Sequence, residues 1–261
     1  MNIVFVHGAW MTPLCWEKFN GFFTAQGFTC TAPAWPYKDR SIDDQRQSPD
    51  PRLAQLGITE IVDHYAAIIK DMNEPPLLIG HSFGGLFVQM LLDRGLGAAG
   101  VAIDSAPPKD IFAFYPTVLR ANTPILTNFG FWNKIIYMSQ ADFAYAFVNT
   151  LPEGDQKTVY DRFVVPETGR IFFQAAASML NNVLTVNFAN DKRAPLLLIA
   201  GSADHIVPAV MNRANWQKYQ GSGARTDFKE FPGRSHWIIA SPGWAEVAGY
   251  IGDWVANLRP S

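Results

Sequence analysis

Short apolar runs alternate along this chain with longer stretches whose apolar residues recur every three or four positions. Asn2–Val6 (NIVFV) is a run of branched and aromatic residues that suits a buried strand. The following stretch, CWEKFNGFFTAQG, places Trp16, Phe19, Phe22 and Phe23 on one face of a helix that stops at Gly27. The alternation then repeats. Further strands are predicted at Phe28–Pro33, Pro76–Gly80, Gly100–Asp104, Ala194–Gly201 and Arg225–Gly233. ITEIVDHYAAIIKDM reads as a helix with Thr59 near its start and Ile58, Ile61, Val62, Tyr65, Ile68 and Ile69 on one face. FGGLFVQMLLDRG, AVMNRANWQKYQ and GWAEVAGYIGDWVANL read as three more helices. Apolar strands alternating with helices predict an α/β fold, with a parallel sheet covered on both faces.

Two stretches break the alternation. From Pro107 to Asn190 no clear strand is visible, and aromatic-rich segments with partly helical spacing take over: IFAFYP, NFGFWNKIIYM, FAYAFV and RIFFQAAASML. This region is expected to be a helical cap (residues 107–190) inserted into a core formed by 1–106 and 191–261. The second excursion, Trp35–Gly57, is polar and proline-interrupted, and is expected to be a surface loop.

Composition narrows the function classes. The 261 residues are 48% hydrophobic, enough for one large core with an insertion. The net charge of −2, from 21 basic and 23 acidic residues, gives no footprint for nucleic acid or an anionic membrane. Cys15 and Cys30 form no metal motif and read as two reduced thiols. No basic region precedes the first apolar run, which argues against a signal peptide, and no apolar stretch reaches the length of a membrane span. A soluble, cytoplasmic protein is the expectation.

The candidate chemistry centres on Gly80-His81-Ser82-Phe83-Gly84, a G-x-S-x-G pattern between a predicted strand and a predicted helix. A sharp strand-to-helix turn strains the serine backbone and crowds its neighbours, so glycines two residues before and after leave room. The turn also puts the Phe83 N–H at a helix N-terminus, where it can donate to a developing oxyanion. A serine hydroxyl needs a base. Of the five histidines, His236 lies after the last strand and before the last helix, on the loop that emerges at the same sheet edge as Ser82. His64 sits on an amphipathic helix as a surface or packing residue. His81 adjoins the serine in a supporting role. His205 is a neighbour of the site or a turn residue.

With these residues the chain resembles the α/β-hydrolase superfamily over nearly its whole length. The resemblance implies an α/β-hydrolase fold of about six mostly parallel strands with helices on both faces and a helical cap. It implies Ser82 as nucleophile, His236 as base and Asp204 as the acid that orients the base, the last from GSADHIVP, which matches a G-x-x-D-x-x-x-P stretch. The order Ser82, Asp204, His236 fits as well. Asp104 is a rival, because some members carry their acid at the end of that strand, and an aspartate at 204 would also suit a turn or helix cap. In FVHGAW, His7-Gly8 resembles the family's H-G pair, which points to Ala9 as the second oxyanion donor. Trp10 and Trp237 are expected to line the substrate pocket, and His7 to tie down its loop. HGAWMTPLCW further resembles a compact branch that includes plant hydroxynitrile lyases, plant methyl esterases and small bacterial esterases.

The cap carries Phe112, Phe114, Tyr115, Phe129, Phe131, Trp132, Tyr137, Phe143, Tyr145 and Phe147. Most such rings pack the cap onto the sheet, and some should line an apolar pocket over Ser82. The leading expectation is a serine carboxylic ester hydrolase for small to medium apolar esters or lactones, with no cofactor and no metal. Three alternatives use the same scaffold: a cofactor-free lyase, a haloperoxidase or perhydrolase, and a non-catalytic small-molecule receptor. Trp237 directly after His236 counts against the lyase, which usually adds a lysine there.

Overall fold

The computed structural model describes residues 1–111 and 115–258. Phe112 and Phe114 therefore lie outside the described residues. The chain runs through β1 (Asn2–Val6), α1 (Glu17–Ala25), β2 (Thr29–Thr31), α2 (Ile42–Gln47), α3 (Ile58–Lys70), β3 (Leu77–His81), α4 (Phe83–Asp93) and β4 (Ala99–Ile103). It then leaves the sheet for α5 (Pro116–Leu126), β5 (Ile135–Ile136), α6 (Gln140–Ala146), α7 (Glu153–Phe163), β6 (Glu167–Thr168) and α8 (Gly169–Ala176). It returns through β7 (Leu196–Gly201), α9 (Ala209–Lys218), β8 (Thr226–Phe231) and α10 (Trp244–Ala256).

Six strands form one sheet in the order β2-β1-β3-β4-β7-β8, and every neighbouring pair is parallel. β3, β4 and β7 are buried along their whole length, as expected of strands covered on both faces. α4 is buried almost all round, from Phe83 to Leu92, which is why its sequence is apolar on every side. α3 instead buries one stripe, Ile58, Ile61, Val62, Tyr65, Ala66 and Ile69. Its first turn is capped by the Glu60 carboxylate, which accepts from the Gly57 N–H at 2.8 Å. Gln174 of α8 accepts from the Ile58 N–H at 2.9 Å, so the insertion caps a core helix. α1 and α10 pack together through Phe19 and Trp244, and α9 covers β7 and β8.

Two expectations need correction. The stretch between β4 and β7 holds a small two-stranded antiparallel sheet, β5 and β6, pairing Ile136 with Glu167 and Ile135 with Thr168. Strands of two residues leave no period to read. The Trp35–Gly57 excursion is not a surface loop throughout. It contains α2, and it buries Trp35, Lys38, Gln45 and Leu53. Its polar composition concealed this because two of those residues are buried with partners: Lys38 by an ion pair, and Gln45 by donating to the carbonyls of Lys38 and Arg40. No helix among the described residues is long and apolar enough to cross a membrane.

Candidate active site

Ser82 occupies the single residue between β3 and α4, at φ 58° and ψ −124°. Such a conformation is costly for a residue with a side chain and persists only where the surroundings impose it. Here they do. A side-chain carbon on Gly80 would overlap the Gly84 carbonyl, and one on Gly84 would overlap the Val6 carbonyl. The backbone bonds close the turn: the Ser82 N–H donates to Ile103 O at 3.0 Å, and Ser82 O accepts from the Gly85 and Ala106 amides at 2.9 and 3.0 Å. Ser82 is thus held at the carboxyl end of β3, a residue only 6% exposed.

His236 and Asp204 reach the same rim from the loops after β8 and β7. The His236 Nδ1–H donates to Asp204 Oδ2 at 2.6 Å, with both side chains fully buried. Asp204 Oδ1 accepts from the Ile206 and Val207 amides at 2.7 and 2.9 Å, so its carboxylate is fixed before it meets the imidazole. With Nδ1 protonated, Nε2 is the free acceptor. It is buried without a hydrogen-bond partner, and no bond to Ser82 is closed. Phe147, which stands edge-on to the His236 ring at 4.8 Å, lines the same cavity as Ser82. Catalytic hydrogen bonds are often long in a free site and tighten when substrate enters.

Asp104 stands apart in role. Its Oδ1 accepts from the Gly201 N–H at 2.7 Å, and its Oδ2 has no partner. Burial first, and the Asp204 carboxylate second, push its carboxyl well above the usual range. The bond to the imidazole belongs to Asp204, not Asp104. His81 Nε2–H donates to His236 O at 2.7 Å and its ring stands 4.6 Å from the His236 ring, so it supports the loop of the candidate base. Burial holds the His81 imidazole well below its ordinary value, with the neighbouring His236 adding to this.

Ala9 and Phe83 line the same cavity as Ser82. Among the described residues the Phe83 and Ala9 N–H groups have no acceptor, whereas the Trp10 N–H donates to Glu167 Oε2 at 3.0 Å. Trp10 is thereby excluded as an oxyanion donor, and its ring lines the cavity instead. That cavity measures about 330 Å³ and is bounded by Ala9, Ser82 and Phe83 on one side and by residues of the insertion on the other, among them Val118, Ile125, Phe172 and Met179. Its lining is mainly apolar.

A family model described as the alpha/beta hydrolase family matches residues 3–249. The chain belongs to the alpha/beta hydrolase family. No curated protein matches it significantly. Among solved structures, this hydrolase is similar to a monoacylglycerol lipase of Paleococcus ferrophilus, at 21% identity and TM-score 0.69, over 98% of this chain and 94% of that one. It is similar to the methylesterase MES16 of Arabidopsis at 17% identity and TM-score 0.71, over 98% and 99%. It is also similar to an extracellular alpha/beta-hydrolase of a Paenibacillus species at 16% identity and TM-score 0.70, over 97% and 98%. These likenesses show the fold.

The remaining histidines of the hydrolase have structural contacts. His7 Nε2 accepts from the Trp35 N–H at 3.2 Å, Nδ1–H donates to Gly8 O at 2.9 Å, and the ring stacks on Trp35, as expected of a residue that ties down its loop. Burial, then the Lys38 charge, holds its imidazole well below the ordinary value. His205 donates from Nδ1 to Tyr145 O and accepts at Nε2 from Asn149, joining the loop after β7 to the insertion. His64 donates to Ala34 O. Trp237 is a correction: it does not line the cavity. It is buried against Phe163 at a ring distance of 5.1 Å, because adjacent residues in a loop point in different directions. Sequence reasoning missed Glu167 and Lys38 altogether. Cys15 and Cys30 are free thiols. One donor atom each from His81, Asp104 and His236 lies within 4.8 Å of the others, but His81 and His236 already bond within the site.

Proposed function

We propose that this hydrolase is a serine carboxylic ester hydrolase acting on small to medium apolar esters or lactones through an acyl-enzyme. The observation that carries the reading is the buried Asp204–His236 bond, which leaves Nε2 as a free acceptor at the rim where Ser82 is held in a strained turn. In this reading Ser82 Oγ attacks the carbonyl carbon while His236 Nε2 takes its proton. The Ala9 and Phe83 amides stabilise the oxyanion, each contributing about 10²–10³ in turnover. His236 then returns the proton to the departing alcohol. A water, deprotonated by the same nitrogen, attacks the acyl carbon; the bond to Ser82 Oγ then breaks, Oγ takes the proton back from His236, and the acid leaves. Asp204 keeps the imidazole in one tautomer and stabilises its cationic form.

The cavity lining supports an uncharged substrate with an aliphatic or aryl group, and among the described residues no basic side chain lines it to receive a phosphate. The insertion acts as the cap that excludes water. A panel of p-nitrophenyl esters and lactones of graded length tests the reading. Hydrolysis with a clear optimum among uncharged esters, lost in Ser82→Ala, is the expected outcome. Equal turnover by Ser82→Ala would overturn it.

A further inference from the structure

Lys38 and Glu167 form a pair whose two side chains are both fully buried, with Nζ 2.5 Å from Oε2. A buried ion pair is weak evidence for stability, because desolvation offsets the attraction. Its surroundings suggest another use. Glu167 Oε2 also accepts from the Trp10 N–H at 3.0 Å, while Oε1 accepts from the Thr168 N–H at 2.9 Å. The Val165 N–H donates to Trp10 O at 2.9 Å. Both peptides that flank Trp10 are thus held by one short segment of the insertion, residues 165–167. Trp10 sits at φ 67°, a conformation that a bulky residue keeps only where its partners dictate it.

The consequence falls on Ala9. Its N–H belongs to the same peptide plane as the Gly8 carbonyl, and His7 Nδ1–H donates to that carbonyl. Glu167 fixes the next plane through the Trp10 N–H. The donor is therefore aimed from both sides. The two supports share an anchor. Trp35 gives its N–H to His7 Nε2, its carbonyl accepts from the Lys38 N–H, and its ring lies 5.0 Å from Lys38 Nζ. We infer that Glu167, charge-balanced by Lys38, is a positioning residue: it pins the Ala9–Trp10 peptide so that the Ala9 N–H stays directed at the oxyanion. This rests on the esterase reading above.

Two neutral pairs separate positioning from mere burial of charge. Lys38→Met with Glu167→Gln keeps an oxygen that can accept from Trp10 without a buried charge. Lys38→Met with Glu167→Leu removes that acceptor. For an ester that the natural protein hydrolyses in a Ser82-dependent way, kcat of the Leu pair is expected about 10–100-fold below that of the Gln pair. That is less than the loss of a whole oxyanion donor. KM should agree within about threefold, as for an interaction made only in the transition state. Equal kcat in the two pairs, or a difference confined to KM, overturns the inference while leaving the esterase reading intact. Absence of Ser82-dependent turnover in the natural protein overturns both. Should the Leu pair not fold, Glu167→Asp is measured instead. It keeps the charge but withdraws the carboxylate by one methylene, and an unchanged kcat overturns the inference.

Discussion

On one side of the cavity stand Ala9, Ser82 and Phe83; on the other stand Val118, Ile125, Phe172 and Met179. The first wall is aligned by backbone. Ser82 is bonded to Ile103, Gly85 and Ala106, its turn admits only glycine at two positions, and the Asp204 carboxylate that holds the His236 imidazole is bonded to two amides. The second wall is made of apolar side chains on α5 and α8 and in the turn after α8, and several of them are half open to solvent: Leu119 is 51% exposed and Met179 57%. Reacting groups need fixed geometry, whereas apolar recognition needs shape and dryness. The difference between the walls predicts what substitutions on each will do.

The largest effect belongs to the rim. Asp204→Asn should lower kcat by about 10⁴, because the imidazole loses the partner that sets its tautomer. Asp104→Asn should lower it far less, since its Oδ1 bonds the Gly201 N–H and an amide oxygen can do the same. Steady-state kinetics on both variants decides between the two acids, and the reverse order would refute the assignment. Gly84→Ala comes next. Its new carbon would meet the Val6 carbonyl in a place where no side chain can swing aside, so thermal unfolding should show a loss of about 3 kcal/mol or more.

How far each wall could be read from sequence follows the same division. The elbow was legible because close backbone approach demands glycine, and Gly80 and Gly84 stand at the required spacing around one hydroxyl. The six parallel strands were legible because strands buried on both faces must be apolar throughout. The G-x-x-D-x-x-x-P stretch favoured Asp204 over Asp104, which follows the end of β4 directly, but only coordinates show which carboxylate bonds the imidazole. Trp237 misled because adjacency to His236 in the chain says nothing about which way a ring turns. Lys38 and Glu167 were invisible for a different reason. Each looks like an ordinary surface charge, and only the fold brings two residues 129 apart into one dry contact.

Smaller effects sharpen the comparison from the side of the insertion. Leu119→Ala and Met179→Ala should change KM for longer esters several-fold, with kcat within about twofold and stability within about 0.5 kcal/mol, as for half-exposed positions away from the rim. A large fall in kcat would mean that the insertion shapes the reacting geometry directly at those positions.

The smallest effects concern pH and stability. His7 and His81 are held below their ordinary value of 6.5, so below pH 6.5 the unfolded chain binds protons that the folded chain refuses. Stability should fall as pH drops from about 6.5, and unfolding midpoints in urea would reveal it. Asp104 acts in the opposite direction. Its folded carboxyl keeps a proton that the unfolded chain releases above 3.8, so this group costs stability increasingly as pH rises from there towards its raised value. Asp104→Asn should therefore flatten the stability curve over that range. An unchanged slope would contradict the assigned burial.

In the proposed mechanism the alcohol at position 82 is made reactive by the imidazole at 236. A fluorophosphonate probe, followed by peptide mapping of the adduct, tests it most directly. One adduct per chain is expected, on Ser82, formed far more slowly in His236→Ala and not at all in Ser82→Ala. Labelling at another residue, or at the same rate without the imidazole, would contradict it.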